Sequence, residues 1–365
     1  QQFGAAPSSH TSVVQESPSS QSRADPPPHT PSVQRSPSVQ HSPSLHANPF
    51  AAFYFMLVEP LSAPVSALEV LVKATPLLLA GLAVVFAFQA GYYNIGAEGQ
   101  LYAGALAAAW VGQLPFAQTT PALIMIPLML IAGFAAGMSW ALVPALLRTQ
   151  MGVDEVVTTL LLNSVMLYLI NGILNAYWLD PVTFWPQSPR IAPSAEFQVI
   201  VPGSRVHFGL VVGFIVMLVL WWIINRTPLG LRMRAVGLGK DAARFMGVNV
   251  ARMTLVAALV SGGIAGLAGV GEVAGIHHRL LEDISPGYGY SGIVIATLGA
   301  LNPFGAGLAA VFIALVDVGG QSVSRQLGIP SFLADVVQAT ILLTTLALLL
   351  LTRYRLRKVV EIAHA

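Results

Sequence analysis

Cysteine is absent from this chain, which excludes disulfides, thiolate metal sites and a cysteine nucleophile, though it fixes no compartment. Charge is scarce too: 9% of residues are Asp, Glu, Lys or Arg, against about a quarter in soluble domains. The formal net charge of +2 is too small to point to a nucleic-acid polymer as partner, so the placement of the positive charges matters more than their sum. What fills the chain instead is apolar, at 55% of 365 residues. Long apolar runs recur from residue 74 to residue 352. Runs of roughly 18 or more apolar residues with few charges are read as membrane spans rather than soluble core.

Recognisable chemistry is also lacking. Gly287-Tyr-Gly-Tyr-Ser-Gly292 has the spacing of a dinucleotide loop. No strand pattern precedes it and no acidic residue follows about twenty positions on, so it fails the context that motif needs. Its glycines are better explained by close helix packing or a helix break beside a cavity. Gly237-Leu-Gly-Lys240 resembles the end of a phosphate loop, but Arg234 stands where the first glycine belongs and Asp241 where Ser or Thr should follow. His277 and His278 with Glu282 and Asp283 are read as a solvated loop, because adjacent histidines do not share a helix face. With no Ser/His/Asp or paired-carboxylate arrangement, the chain is expected to be no enzyme and to hold no cofactor or metal. Any transport it performs must be powered by a partner or by an ion gradient.

Residues 1–48 differ in composition, being dominated by Ser, Pro, Gln and His, with a short repeat of Ser32-Val-Gln-Arg-Ser-Pro and Ser38-Val-Gln-His-Ser-Pro. Such a segment buries too little apolar surface to offset ordering entropy and is expected to be a disordered tail, read either as natural or as a non-native start. It has no apolar h-region and is not a signal peptide. Its histidines (His10, His29, His41, His46) are irregularly spaced. The expected organisation is therefore this tail, a transmembrane domain over 49–358 and a short C-terminal tail over 359–365.

The transmembrane part is predicted to be an all-α polytopic bundle of about nine apolar segments: 74–90, 97–114, 121–147, 155–174, 208–225, 251–275, 286–301, 303–324 and 330–352. The segment 286–301 is short and is a candidate re-entrant or broken helix, tolerated where it is buried in protein or lines a cavity. Basic residues orient the bundle. The loop 226–252 carries Arg226, Arg232, Arg234, Lys240, Arg244 and Arg252, and the C-terminal tail carries Arg353, Arg355, Arg357 and Lys358. Both are expected on the cytoplasmic side, as is the short loop with Arg148. The aromatic loop 175–207 falls outside. Nine crossings that end inside require a start outside, and a missing first helix, expected to belong upstream, would restore an inside start.

Within the spans, Gly133 and Gly137, Gly262 and Gly266, and Gly271 and Gly275 repeat at four-residue spacing, which permits close helix packing in lipid. Glu98, Asn163, Asn171, Glu272, Asp317, Gln321, Asp335 and Gln338 lie in or at the edges of apolar runs. Charged groups there cost a few kcal/mol or more and usually face a cavity or a partner. The spans as read hold no ladder of carboxylates and no internal Lys or Arg, which argues against a proton or Na⁺ relay. A pathway for an uncharged polar solute fits better. The stretch Asp241-Ala242-Ala243-Arg244-Phe245-Met246, closed by Gly247, has residues suited to capping a short helix. Small Ala243 with apolar Phe245 and Met246 suits docking in a groove of a soluble partner.

Four stretches resemble the permeases of the branched-chain amino acid, ribose and nucleoside class of ATP-binding-cassette importers, over about residues 47–358. They are Phe86-Ala-Phe-Gln-Ala-Gly-Tyr-Tyr-Asn-Ile-Gly-Ala-Glu-Gly-Gln-Leu101, Gly152-Val-Asp-Glu-Val-Val-Thr-Thr-Leu-Leu-Leu-Asn163, Arg234-Ala-Val-Gly-Leu-Gly-Lys-Asp-Ala-Ala-Arg-Phe-Met-Gly247, and Gly289-Tyr-Ser-Gly-Ile-Val-Ile-Ala-Thr-Leu-Gly299 followed by Asn302-Pro-Phe. The family often has Asn where Asp154 stands. The motifs are most similar to those of simple-sugar and nucleoside permeases. The resemblance implies about ten helices per subunit, with one before the Asn48-Pro-Phe50 segment, where this sequence has the polar tail. It implies a homo- or heterodimer in the inner membrane with two cytoplasmic ATPases and an extracytoplasmic binding protein. It implies that 241–247 is the coupling helix. Among the polar residues of the apolar runs and their edges, Asn94, Glu98, Gln100 and Asn163 are candidates for the translocation path. The expected function is import of nucleosides or related sugars, the alternatives being branched-chain amino acid import or an ion-coupled secondary transporter.

Overall fold

The computed structural model describes residues 48–180 and 184–353. The tail expected over 1–48 (except Asn48) and the C-terminal tail over 359–365 lie outside the described residues. The described residues form twelve helices and no strand, in keeping with an all-α bundle. Six of the twelve are long and apolar enough to cross a membrane.

A short helix α1 (Pro49–Ser62) comes first. Asn48 caps it by accepting the Phe50 N–H at 3.0 Å, and Pro49 occupies the first turn, where no N–H is missed. The helix widens into a π-turn over Tyr54–Val58. There the Met56 backbone meets Gly319, where a Cβ would stand 1.9 Å from the Met56 carbonyl oxygen. This short apolar helix is not one of the six long enough to cross a membrane.

The long helix α2 (Pro64–Gln89) starts ten residues before the apolar run that predicts it. Its extra turns carry Glu69 and Lys73, which the sequence reading places outside the spans. Each is compensated: Glu69 pairs with Arg205, and Lys73 with Asp317 at 3.3 Å. An apolar pattern cannot anticipate turns whose charges are neutralised by residues over a hundred positions away.

A break at residues 90–96 then leads to α3 (Ala97–Gly112). There follow α4 (Ala122–Met151) and α5 (Glu155–Ala176). Gly152, at φ 71°, closes α4 in the left-handed conformation that favours glycine. Asp154 caps α5 by accepting the Val156 N–H at 2.7 Å. Glu155, buried, pairs with Arg148 at 2.9 Å. The α4–α5 turn is therefore fixed by caps and an ion pair.

After the long loop comes α6 (Gly209–Arg226). The basic loop 226–252 is itself helical, forming α7 (Pro228–Leu238) and α8 (Lys240–Phe245). Next come α9 (Val250–Glu272, continued by a π-turn over Val273–His277), α10 (Tyr288–Leu298), α11 (Pro303–Leu327) and α12 (Leu333–Arg353). The weak segment 286–301 resolves as α10, only 11 residues long. At about 1.5 Å per residue it reaches roughly half-way across the hydrocarbon. This is the short, broken element that the sequence suggests.

The core is formed by α2 and α9, which are almost enclosed; α4 and α6 pack against them and α5 against α3 and α4, and these three expose most of their apolar surface. The four-residue glycine spacing explains how α4 and α9 approach. A Cβ on Gly137 would stand 2.1 Å from the Gly262 carbonyl oxygen, and one on Gly266 would stand 2.3 Å from that of Gly133. Contact is backbone to backbone, which only glycine permits at these points. Gly271 does not take part, having nothing near its missing Cβ.

Candidate solute route and partner surface

The break between α2 and α3 is held by polar side chains from the surrounding helices. Asn94, buried, donates to Gln100 Oε1 and to Ser261 Oγ, both at 2.8 Å, and accepts from Gln100 Nε2 at 3.1 Å and from the Gly96 N–H at 3.0 Å. Ser261 in turn donates to the Ala83 carbonyl at 2.7 Å. Asn163 of α5 accepts the Gly99 N–H at 2.8 Å and donates to the Ile95 carbonyl at 2.9 Å and the Tyr290 hydroxyl at 3.2 Å. Glu98 accepts the Gly289 N–H at 2.6 Å, at the start of α10. The structure therefore brings Asn94, Glu98, Gln100 and Asn163 together. Asn94 and Asn163 satisfy backbone groups at the interruption, Gln100 holds Asn94, and Glu98 satisfies the first turn of α10, as burial requires.

The open polar space lies on the other side of α10. A cavity of about 450 Å³ is lined by Tyr288 and Ser291 of α10, Asp317 and Gln321 of α11, and Asp335 and Gln338 of α12, among others. Ser291 Oγ donates to Gln338 Oε1 at 3.1 Å. Lys73 stands behind this wall, donating to the Tyr288 hydroxyl at 3.2 Å while pairing with Asp317. Four of the eight intramembrane polar residues singled out from the sequence (Asp317, Gln321, Asp335 and Gln338) thus converge on one cavity. Sequence reasoning missed Lys73, Tyr288 and Ser291. For Lys73 a signal existed, because a carboxylate such as Asp317 within an apolar helix needs a cation or a cavity nearby.

At the end of the bundle where α9 begins, α7 and α8 form a compact surface. Gly237 lies against the backbone of Gln89 and Gly91, anchoring α7 beneath the α2–α3 break. The cap of α8 is Gly239, while Asp241 sits in its first turn and pairs with Arg244 at 3.3 Å. Gly247, at φ 80°, reverses the chain after it. Ala243 is fully buried, whereas Phe245 is 95% exposed and Met246 66% exposed. Phe245 and Met246 thus project outward beside the exposed Asp241 and Arg244, and Ala243 is the part that holds the helix down.

The opposite end is closed by the loop between α5 and α6. The Ile191 N–H bonds to the His278 carbonyl, that of Ala192 to Gly112 and that of Phe197 to Ala274, each at 2.8–2.9 Å. His207 is buried under this loop, accepting the Gly209 N–H at 3.1 Å. Burial, with nearby His278, lowers its pKa to about 4, so it is neutral at ordinary pH. His277 contacts Glu272 at 3.5 Å, while Glu282 accepts a bond from Asn171 instead. The pattern His277, His278, Glu282 and Asp283 is not gathered around one point, and no metal-ligand cluster occurs among the described residues.

Residues 66–346 match the family described as branched-chain amino acid transport system, permease component. The chain is 37% identical over 322 residues to the glucose ABC transporter permease protein of Haloferax volcanii, covering 86% of this chain and 84% of that one. It is 35% identical over 281 residues to the guanosine ABC transporter permease protein of Bacillus subtilis, covering 75% and 79%. It is 30% identical over 309 residues to the nucleoside ABC transporter permease protein of Lactococcus lactis, covering 81% and 83%. No solved structure matches the chain.

Proposed function

The chain belongs to the branched-chain amino acid transport system permease family of ATP-binding-cassette transporters, and we propose that within it this subunit imports nucleosides or related simple sugars. As a permease of that family it is a non-catalytic, multi-pass membrane subunit. The observation that carries the solute reading is the cavity between α10, α11 and α12. Its volume of about 450 Å³ falls in the range of roughly 300–1,000 Å³ typical of small-molecule sites. Carboxylates, amides and hydroxyls converge there, which suits a hydroxyl-rich solute better than the aliphatic side chain of leucine or valine. The guanosine, nucleoside and glucose permeases among its relatives support the same choice.

The rest of the machine follows from this reading. Asp335 and Gln321 are exposed on the membrane-domain surface, where lipid contact would cost a few kcal/mol for the carboxylate alone. A second permease subunit, identical or homologous, covers them and completes the route. The helix α8, with Phe245 and Met246 outward, docks on an ATPase subunit on the cytoplasmic side, where the basic residues of 226–252 also belong. The α5–α6 loop then faces an extracytoplasmic binding protein. Asn94, Glu98, Gln100 and Asn163 border the route through α10, to which Glu98 and Asn163 are bonded.

Uptake assays on the assembled importer test this reading. Labelled guanosine or glucose should accumulate in an ATP-dependent manner, and disrupting the partner ATPase should abolish uptake. Accumulation of leucine alone, or uptake indifferent to the ATPase, would rule the reading out.

A further inference from the structure

Two carboxylates, Asp317 and Asp335, line the polar cavity, yet they are not equivalent. Asp317 is half-buried and held by Lys73 at 3.3 Å, and Lys73 is itself fixed by the Tyr288 hydroxyl at 3.2 Å and lies 5.5 Å from the centre of the Tyr288 ring. Asp335 is exposed, and no cation pairs with it among the described residues. Two further carboxylates are turned elsewhere, Glu98 to the Gly289 N–H and Glu272 to His277. The remaining polar groups facing the space, on Tyr288, Ser291, Gln321, Ser331 and Gln338, carry no formal charge. The wall therefore carries one negative charge in excess, placed where a solute would pass.

We propose that Lys73 sets the charge of the route: by neutralising Asp317 it leaves Asp335 as the single uncompensated charge, so that the passage accepts uncharged polyhydroxy solutes, disfavours phosphorylated ones through Asp335, and does not become a trap for cations. The inference rests on the reading of this cavity as the solute route. A free carboxylate accepts hydrogen bonds from sugar hydroxyls, whereas a phosphate brings no donor at neutral pH and meets like charge in a space walled by protein. Without Lys73 both carboxylates would stand bare, binding cations and opposing anions more strongly. Lys73 is thus a specificity-determining residue that acts through Asp317.

The native absence of cysteine gives a direct test. Gln321→Cys places one reporter thiol in the cavity wall. In permeabilised membranes carrying the assembled importer, it is treated with a cationic or an anionic thiosulfonate of equal size. Mass added to this subunit is followed, and rates are normalised to those of a small free thiol. The cationic reagent is expected to react about tenfold faster. Adding Asp335→Asn should bring the two rates within about twofold of each other, and adding Lys73→Met should widen the gap severalfold. If the Lys73→Met importer fails to assemble, Asp317→Asn, which frees the Lys73 charge to offset Asp335, should bring the two rates within about twofold, and an unchanged gap overturns the role given to Lys73. A thiol that reacts, and is protected by the transported solute, but shows no charge preference overturns the charge assignment and leaves the route standing. A thiol that neither reagent reaches overturns both.

Discussion

Asn163 shows how a polar residue inside a membrane bundle can be structural and still border function. Its side chain bonds to two backbone groups flanking the α2–α3 break and to Tyr290. Removing it strands a buried N–H and a buried carbonyl, at about 1–3 kcal/mol for each group left unsatisfied. Asn163→Ala is therefore expected to lower the thermal midpoint of the detergent-purified importer by several degrees. An unchanged midpoint would mean that water or a neighbour replaces these bonds, and that the side chain is free to serve the route. Asp154 shows the reverse case. It stands where the resemblance would put Asn, and its oxygen caps α5 on the Val156 N–H. Either residue accepts that bond, so the departure leaves the fold unchanged.

At the scale of elements, α8 is the clearest gain over the sequence. The composition of 241–247 points to a short helix with apolar contact area, but it does not say which side faces out. The structure separates them: Ala243 is buried and Phe245 exposed. The two positions should then fail differently. Phe245→Ala is expected to leave expression and thermal midpoint unchanged while cutting ATP-driven uptake about tenfold, in keeping with the loss of an aromatic anchor at an interface. Ala243→Leu forces volume into a filled site, at about 1–3 kcal/mol, and should lower stability first. Uptake unaffected by Phe245→Ala would remove α8 from the docking surface. The α10 element was legible for a different reason. Its apolar run is too short to span, and a half-length helix must end inside protein.

For the whole molecule, the division of labour follows from where polar groups are spent. One set ties the break before α3 to α5, α9 and α10. The other lines the cavity between α10, α11 and α12, and α10 touches both. A change in the seating of α10 would therefore alter the cavity and strain the bonds from Glu98 and Asn163 together. In an importer worked by alternating access, trapping the ATPase partner with a non-hydrolysable nucleotide should change the rate at which a thiol at Gln321→Cys is modified by at least about threefold, a shift of under 1 kcal/mol in the open population. Equal rates with and without the nucleotide would place the cavity outside the moving part of the route.

The sequence by itself determined the class of the protein. Sparse charge and long apolar runs point to a membrane bundle, because hydrocarbon tolerates few structures other than closed helices. The motifs at 86–101, 152–163, 234–247 and 289–299 were enough to place the family, and the glycine spacing on α4 and α9 foretold their close approach. Tertiary structure alone decided which polar residues face one another. Asp317 lies 244 positions from Lys73 in the chain, and nothing local to either residue records that they meet. Long-range pairing is also why α2 could begin ten residues early and why an intramembrane lysine escaped notice. Hydropathy measures the cost of a charge in lipid, but only the fold shows whether another group has already offset it.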